Sequence, residues 1–415
     1  MRPQSLRLVI AGLVLTLFLS HAVWGQTTGI RFITAEAYIP GMAFGVAIDV
    51  KRDPGTVQVV ETPPAGWTIR GIGSGGQQNA GTITWELTTF TGSSRLTYTV
   101  TPPKTAVENG IFSGKVGDSA IGGISVLYYE LKSGIAVSEI EKVAGGFGFT
   151  EGPVWHRDGF LLFCADRVIK KWAPGQNAVT WLAIGANGLT YDREGRLVGC
   201  VPWGEPRSVA RIEPDGSVTV IADQYQEKPL NGPNDLCVRS DGMIFFTDPD
   251  YTTRSQPFKG VFGVQPGSAP VLLVDDLVRP NGIALSPDEK KLYIADTEES
   301  MPDSAKPSFN GVRVYDAAED GTLTNGVKFA STACDGMKVD QEGNVYISIG
   351  AVVVYSPEGD LIEIIRVPEK TLNIAFGDAD NRTLYMTAGT SVYKVRVRVP
   401  GVPVWRSNVQ EWKQY

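Results

Sequence analysis

Asp241-Gly242-Met243-Ile244-Phe245-Phe246-Thr247 is an acidic, glycine-bearing turn that runs straight into an apolar strand. The same phrase stands earlier as Asp158-Gly159-Phe160-Leu161-Leu162-Phe163-Cys164 and Glu194-Gly195-Arg196-Leu197-Val198-Gly199-Cys200. Later it reads Glu289-Lys290-Lys291-Leu292-Tyr293-Ile294-Ala295, Glu342-Gly343-Asn344-Val345-Tyr346-Ile347-Ser348 and Asn381-Arg382-Thr383-Leu384-Tyr385-Met386-Thr387. The final residues of successive copies lie 36, 47, 48, 53 and 39 positions apart. That period is near the length of a four-stranded propeller blade, with the variation falling in loops. A parallel βαβ fold would need helical segments between the strands, and none of suitable length is present. The pattern predicts an all-β chain with a six-bladed β-propeller over residues 134–399 and a tail over 400–415. An open set of blades leaves two bare sheet edges, so residues 137–143 and 391–399 are expected to share one blade.

Thirteen or fourteen residues before each repeat's end lies the start of the preceding strand. The residues there are Glu151, Asn187, Asn234, Asn281, Asp335 and Asn373. First strands line the central channel of a propeller, so equivalent positions form a ring about one point. Asn-Gly and Asp-Gly are also ordinary turn dipeptides, which accounts for Asn187, Asn281 and Asp335 taken singly. It accounts poorly for Glu151, Asn234 and Asn373, and six oxygen-bearing residues at one register favour a functional ring. Two carboxylates crowded together repel unless a cation separates them. Oxygen donors without sulfur or imidazole suit a hard ion, calcium better than magnesium, and disfavour zinc. His156, five residues along the strand from Glu151, belongs about 16 Å away and reads as structural.

Working outward to the N-terminal side, residues 26–133 alternate as half-buried strands do, for example Phe44-Gly45-Val46-Ala47-Ile48-Asp49-Val50 and Thr82-Ile83-Thr84-Trp85-Glu86-Leu87. Turn signals such as Pro63-Pro64-Ala65-Gly66 separate them. Several strands in about 100 residues predict an immunoglobulin-like β-sandwich. Gly71, Gly73 and Gly76 match a dinucleotide fingerprint, but a strand rather than a helix follows, so a loop is expected. Before the sandwich, Arg2 and Arg7 precede an apolar run at residues 8–19 and a small residue, Gly25, at a plausible cleavage point. Residues 1–25 read as a secretory signal, and the mature protein is expected to be secreted or periplasmic, with no membrane span.

Composition narrows the classes further. Of 415 residues, 42% are hydrophobic and 20% charged, which excludes a wholly disordered chain. A net charge of −7 argues against a nucleic-acid surface. Two histidines and four cysteines are too few for a His-rich metal site or a disulfide scaffold. Cys164, Cys200, Cys237 and Cys334 read as buried thiols by default, although export would permit a disulfide.

Thr150-Glu151-Gly152-Pro153-Val154-Trp155, Leu230-Asn231-Gly232-Pro233-Asn234-Asp235, Phe246-Thr247-Asp248-Pro249, Arg279-Pro280-Asn281-Gly282, Asp335-Gly336-Met337 and Leu384-Tyr385-Met386-Thr387-Ala388-Gly389-Thr390 resemble the gluconolactonase/regucalcin (SMP-30) family. The resemblance covers roughly residues 138–398. It implies a six-bladed propeller, a divalent metal (usually calcium) and lactone hydrolysis. It places Glu151, Asn281 and Asp335 at metal-ligand positions, and Asn234 where it contacts substrate or completes the coordination. Asp335 also matches the suspected general base. Bacterial relatives usually carry Glu-His-Gly after the second repeat's cysteine, whereas Cys200 is followed here by Val201-Pro202-Trp203-Gly204.

Lactone hydrolysis needs a polarised carbonyl and an activated water; a bound cation supplies the first and a carboxylate the second. Asp335 is the candidate base and Glu151 the anchoring ligand. A serine route lacks its Gly-x-Ser-x-Gly elbow, and alternation along the strand turns Cys334 away from the ring. Loops after the repeats should wall the pocket, bringing Trp203, Asp248, Tyr251, Arg254, Phe258, Asp296, Glu298 and Phe309, with Asn187 of the ring, toward a lactone or sugar-derived substrate. Two other readings stay open: an ester or phosphotriester hydrolase at the same metal, and an exported binding or scaffold propeller with a structural calcium.

Overall fold

A computed structural model describes residues 27–404, apart from 34–37, 39, 42, 53–54, 89–91, 130, 298–310 and 333. The expected signal at 1–25, Glu298 and Phe309 lie outside the described residues. Among those residues the chain is all-β, and no helix is long and apolar enough to cross a membrane.

From residue 141 onward, the described residues form six four-stranded antiparallel sheets in sequence order. The acidic-glycine turns join the inner two strands of several sheets. Asp192 Oδ1 accepts hydrogen bonds from Glu194 N and Arg196 N, and Asp340 Oδ1 from Glu342 N and Asn344 N. Gly195 and Gly343 sit at φ of +77° and +87°, where a side chain would be strained. Second strands such as Ile244–Asp248 and Val345–Ile349 are almost wholly buried. They are sandwiched on both faces, which is why they are continuously apolar rather than alternating. Fourth strands such as Val179–Leu182 and Val218–Ala222 are largely exposed.

Apolar clusters join each sheet to the next. One joins the first sheet to the second through Val154, Leu162, Leu189 and Leu197. Others pair the second with the third, the third with the fourth, the fourth with the fifth and the fifth with the sixth. A further cluster, with Trp155, Phe163 and Tyr385, joins the sixth back to the first. The strand Glu141–Gly145 pairs with Ser391–Arg396 and completes the sheet that contains the last repeat. The circuit of packing therefore closes on itself, and its inner strands surround one axis.

Residues 28–127 form two five-stranded sheets and a two-stranded one about a separate core that includes Trp85, Tyr98 and Leu96. Thr28–Ile33 alternates exposed and buried residues, as a one-sided strand must. The glycine fingerprint is a loop between Thr68–Arg70 and Gln77–Asn79, and Trp85 Nε1 donates to Gly73 O at 2.9 Å. The two regions are clamped together. Glu363 accepts from Ser133 N, Ile135 N and Ala136 N, while Arg366 donates to Tyr129 O and Tyr38 O.

Residues 400–404, the described start of the tail, pack against the last two sheets. Gly401 bridges Asp340, Gly401 N donates to Asn381 O, and Val402, Pro403 and Val404 line an axial cavity of about 90 Å³.

Candidate active site

Hydrogen bonds to backbone carbonyls link successive strand heads. Cys164 Sγ donates to Asn187 O at 3.1 Å, Gly188 N to Asn234 O at 2.8 Å and Thr247 Oγ1 to Asn281 O at 2.8 Å. Gly282 N then donates to Asp335 O at 2.7 Å and Gly336 N to Leu372 O at 2.9 Å. Each bond runs from one sheet to the next. This explains the glycines better than turn chemistry does: Gly188, Gly282 and Gly336 are not at positive φ. A β-carbon on Gly152 would overlap Asn187 O, one on Gly282 would overlap Asp335 O, and one on Gly336 the Asn373 amide. Close approach between strands requires glycine at these positions.

The ring side chains converge from this frame. Glu151, Asn187, Asn281 and Asn373 are buried, and Asn234 and Asp335 half-buried. Asn281 Nδ2 donates to Asp335 Oδ1 at 2.9 Å and to the Tyr251 hydroxyl at 3.1 Å. Burial raises the Glu151 carboxyl well above the usual range, and the Asp335 carboxylate raises it further, against its hydrogen bond from Gly152 N. Burial also pushes Asp335 up to about 6, opposed by Lys370 and the Asn281 amide. Two carboxyls brought together in the interior oppose each other's ionisation, and a positive charge between them would relieve that opposition.

The donor chemistry fits a hard cation. Among the described residues no three His, Cys, Asp or Glu side chains are grouped to hold a metal. A cage must therefore draw on amide oxygens beside the Glu151 and Asp335 carboxylates. Asn187 Oδ1 is buried without a hydrogen-bond partner, as an oxygen awaiting a ligand would be.

Residues 149–390 match the model for the SMP-30/Gluconolactonase/LRE-like region. The chain belongs to this family. A gluconolactonase of Zymomonas mobilis is 28% identical over 74% of this chain and 93% of its own length. The solved gluconolactonase of Xanthomonas campestris superposes with a TM-score of 0.58 at 27% identity, covering 65% of this chain and 94% of that one. A calcium-binding regucalcin from Agrobacterium tumefaciens, 20% identical, covers 66% of this chain and 97% of its own with a TM-score of 0.51, which speaks to the propeller fold.

Around this SMP-30-type ring, the expected pocket wall is partly corrected. Tyr251 and Trp203 are 47% and 41% exposed, with Arg279 4.9 Å over the Tyr251 ring and Arg167 5.7 Å over Trp203, and of the two it is Tyr251 that contacts a ring residue, Asn281. Asp248 does not reach the pocket. It is fully buried and accepts from Asn231 N at 2.8 Å and Gly232 N at 2.7 Å, fixing the loop before Asn234. Asp296 does the same for Val278 N and Arg279 N before Asn281. Both acids serve backbone amides, so they hold ring strands in place rather than meeting substrate. Arg254 bonds Pro257 O within its own loop, and Phe258 packs inward on Tyr225. His156 stacks on Phe160 at 4.3 Å and accepts from Asp158 N, as a structural residue. All four cysteines are free thiols, and Cys334 is fully buried in the apolar cluster between the fourth and fifth sheets.

Sequence reasoning quoted Asp235 within a motif and gave it no role. It is 2% exposed, its carboxylate accepts from Leu236 N, and its charge acts on Glu151 and Asp335. The available signal was its place in the chain, since it stands where four of the six strands carry glycine.

Proposed function

We propose that the chain is an exported six-bladed propeller, preceded by an immunoglobulin-like sandwich, that hydrolyses a lactone with the help of a divalent cation, calcium for preference. Family membership and the lactone-hydrolysing relatives support the reaction class. The observation that carries the site is the convergence of the buried Glu151 carboxyl, the Asn281 amide and Asp335 at one end of the axis.

Glu151, Asn234, Asn281 and Asp335 would hold the ion. When bound, it supplies polarisation of the lactone carbonyl and offsets the negative charge that develops on its oxygen. Asp335 takes the proton from the attacking water, and its half-buried position gives it both solvent on one side and a raised basicity. The Asn281 amide fixes the Asp335 oxygen it bonds, so the other remains free to receive that proton. Tyr251, held by Asn281 and by Thr297 Oγ1 at 3.0 Å, presents its hydroxyl at the mouth beside the reacting group. Trp203 offers a flat face on which a sugar-like ring packs.

A panel of aldonolactones, simple esters and phosphotriesters, assayed before chelation, after it and after calcium return, tests this. Lactone turnover that disappears with chelation and returns with calcium is the expected result. Calcium retention with no hydrolysis of any lactone would overturn it in favour of a binding protein.

A further inference from the structure

The second and third strands of each sheet are joined at the end where the ring residues lie, and the first two of these joints come together. In the first sheet Glu151 pairs with Cys164 and Thr150 with Ala165, and the chain then turns through Asp166 and Arg167 before Val168. In the second sheet Asn187 N donates to Cys200 O, and the loop beyond carries Trp203. Arg167 and Trp203 thus hold the same place in neighbouring repeats, each three residues past the repeat's end. The Arg167 guanidinium lies 5.7 Å over the Trp203 indole. A β-carbon on Gly185 would fall 3.3 Å from Trp203 Cβ and 3.7 Å from Arg167 O. The pair therefore flanks the chain two residues before Asn187, whose buried Oδ1 has no hydrogen-bond partner.

Most basic side chains of these loops are engaged within the protein. Lys259 and Arg279 share Asp250 at 3.1 and 3.5 Å, Arg207 donates to Leu230 O and Ser255 Oγ, and Arg254 to Pro257 O. Arg167 is exposed, and among the described residues no acid lies within ion-pair distance of it. Its neighbour Asp166 is committed to Gly148 N at 2.8 Å. Lys370 is exposed as well, and its field falls on Asp335 rather than on this pair.

The backbone marks the same residue. Asp166 and Arg167 stand at φ of +54° and +61°. A two-residue hairpin turn of this kind suits glycine at its second place, so an arginine there is strained. The turn gives no reason for that side chain. A guanidinium resting over an indole does, because its N–H donors remain at the edge in a fork that matches a carboxylate or phosphate.

We propose that Arg167 and Trp203 form a subsite for a lactone that carries an anionic substituent, with the indole against its ring and the guanidinium on its acidic group. This rests on the lactone-hydrolase reading above and adds the substrate class. The acidic end of the substrate lies at Arg167 while its carbonyl end lies toward Glu151 and Asp335.

Steady-state kinetics of the full chain in calcium test it on a neutral gluconolactone, a glucarolactone with its free carboxylate and a phosphorylated gluconolactone. One of the two acidic lactones should be preferred by about tenfold or more in kcat/KM, chiefly through KM, and which one it is tells carboxylate from phosphate. Arg167→Gln and Arg167→Gly should bring that ratio toward one, Arg167→Glu should invert it, and Trp203→Leu should lower it. Arg167→Gly relieves the turn, so it should melt no lower than wild type and serves if Arg167→Gln does not fold. Equal use of neutral and acidic lactones by wild type, an unchanged ratio in Arg167→Gly, or a ratio lost in Lys370→Gln but kept in Arg167→Gln would overturn the proposal. If no lactone is hydrolysed, the reaction reading fails, and calorimetry with glucarate and gluconate decides the subsite separately. Tighter binding of glucarate that Arg167→Gly abolishes supports it, and equal binding refutes it.

Discussion

Two buried acids, one in each region of the molecule, are treated in opposite ways. In the sandwich, Glu61 is fully buried yet gripped by Arg31 through two contacts of 2.7 Å and by the Tyr98 hydroxyl at 2.7 Å. At the ring, Glu151 meets other carboxyls and amides, and burial raises its carboxyl. The first acid is complete without any visitor. The second has no cationic side chain paired with it among the described residues, which is the contrast that the proposed metal site rests on.

The largest effect should come from breaking the reactive side. Asp335→Asn is expected to lower lactone turnover by about 10²–10⁴-fold while leaving the unfolding transition intact, as followed by steady-state assay and circular dichroism. Its counterpart in the sandwich is Arg31→Met, which strands Glu61 and should cost about 3–5 kcal/mol of that region's stability. Denaturant titration measures that loss, and kcat/KM should stay at its wild-type value.

A pH series sharpens the contrast. Asp335 takes up a proton near 6 in the metal-free protein, and a protonated ligand cannot bind the ion. Calcium affinity should therefore weaken as pH falls through 6, by up to about tenfold per pH unit for each proton displaced, as read by calorimetry. The folded chain binds this proton more readily than the unfolded chain, whose carboxyl titrates near 3.8. Stability of the calcium-free protein should then decline as pH rises from about 4 to 6, the reverse of the usual salt-bridged carboxylate. The smallest effect is that of Tyr251→Phe. Losing the hydroxyl shared by Asn281 and Thr297 should cost about 1 kcal/mol, or roughly fivefold in kcat/KM.

Much of this arrangement was legible in the sequence because it repeats. A turn, a buried strand and an oxygen-bearing residue at one register recur six times, and the heads of those strands meet as the spacing requires. What periodicity does not encode was missed or misread. Asp248 and Asp296 look like pocket residues because they follow the second strand, but two loop amides claim each of them. The clamp from Glu363 and Arg366 to residues 129–136 is long-range.

The sheet that joins Glu141–Gly145 to Ser391–Arg396 has a consequence for how the molecule comes into being. While the chain is being synthesised, the early strand has no partner until nearly the whole domain has emerged, and contacts of such long range are slow to form. The circle is therefore locked by the last strand made, and a chain interrupted before residue 391 would leave its earliest and latest sheets both unsealed.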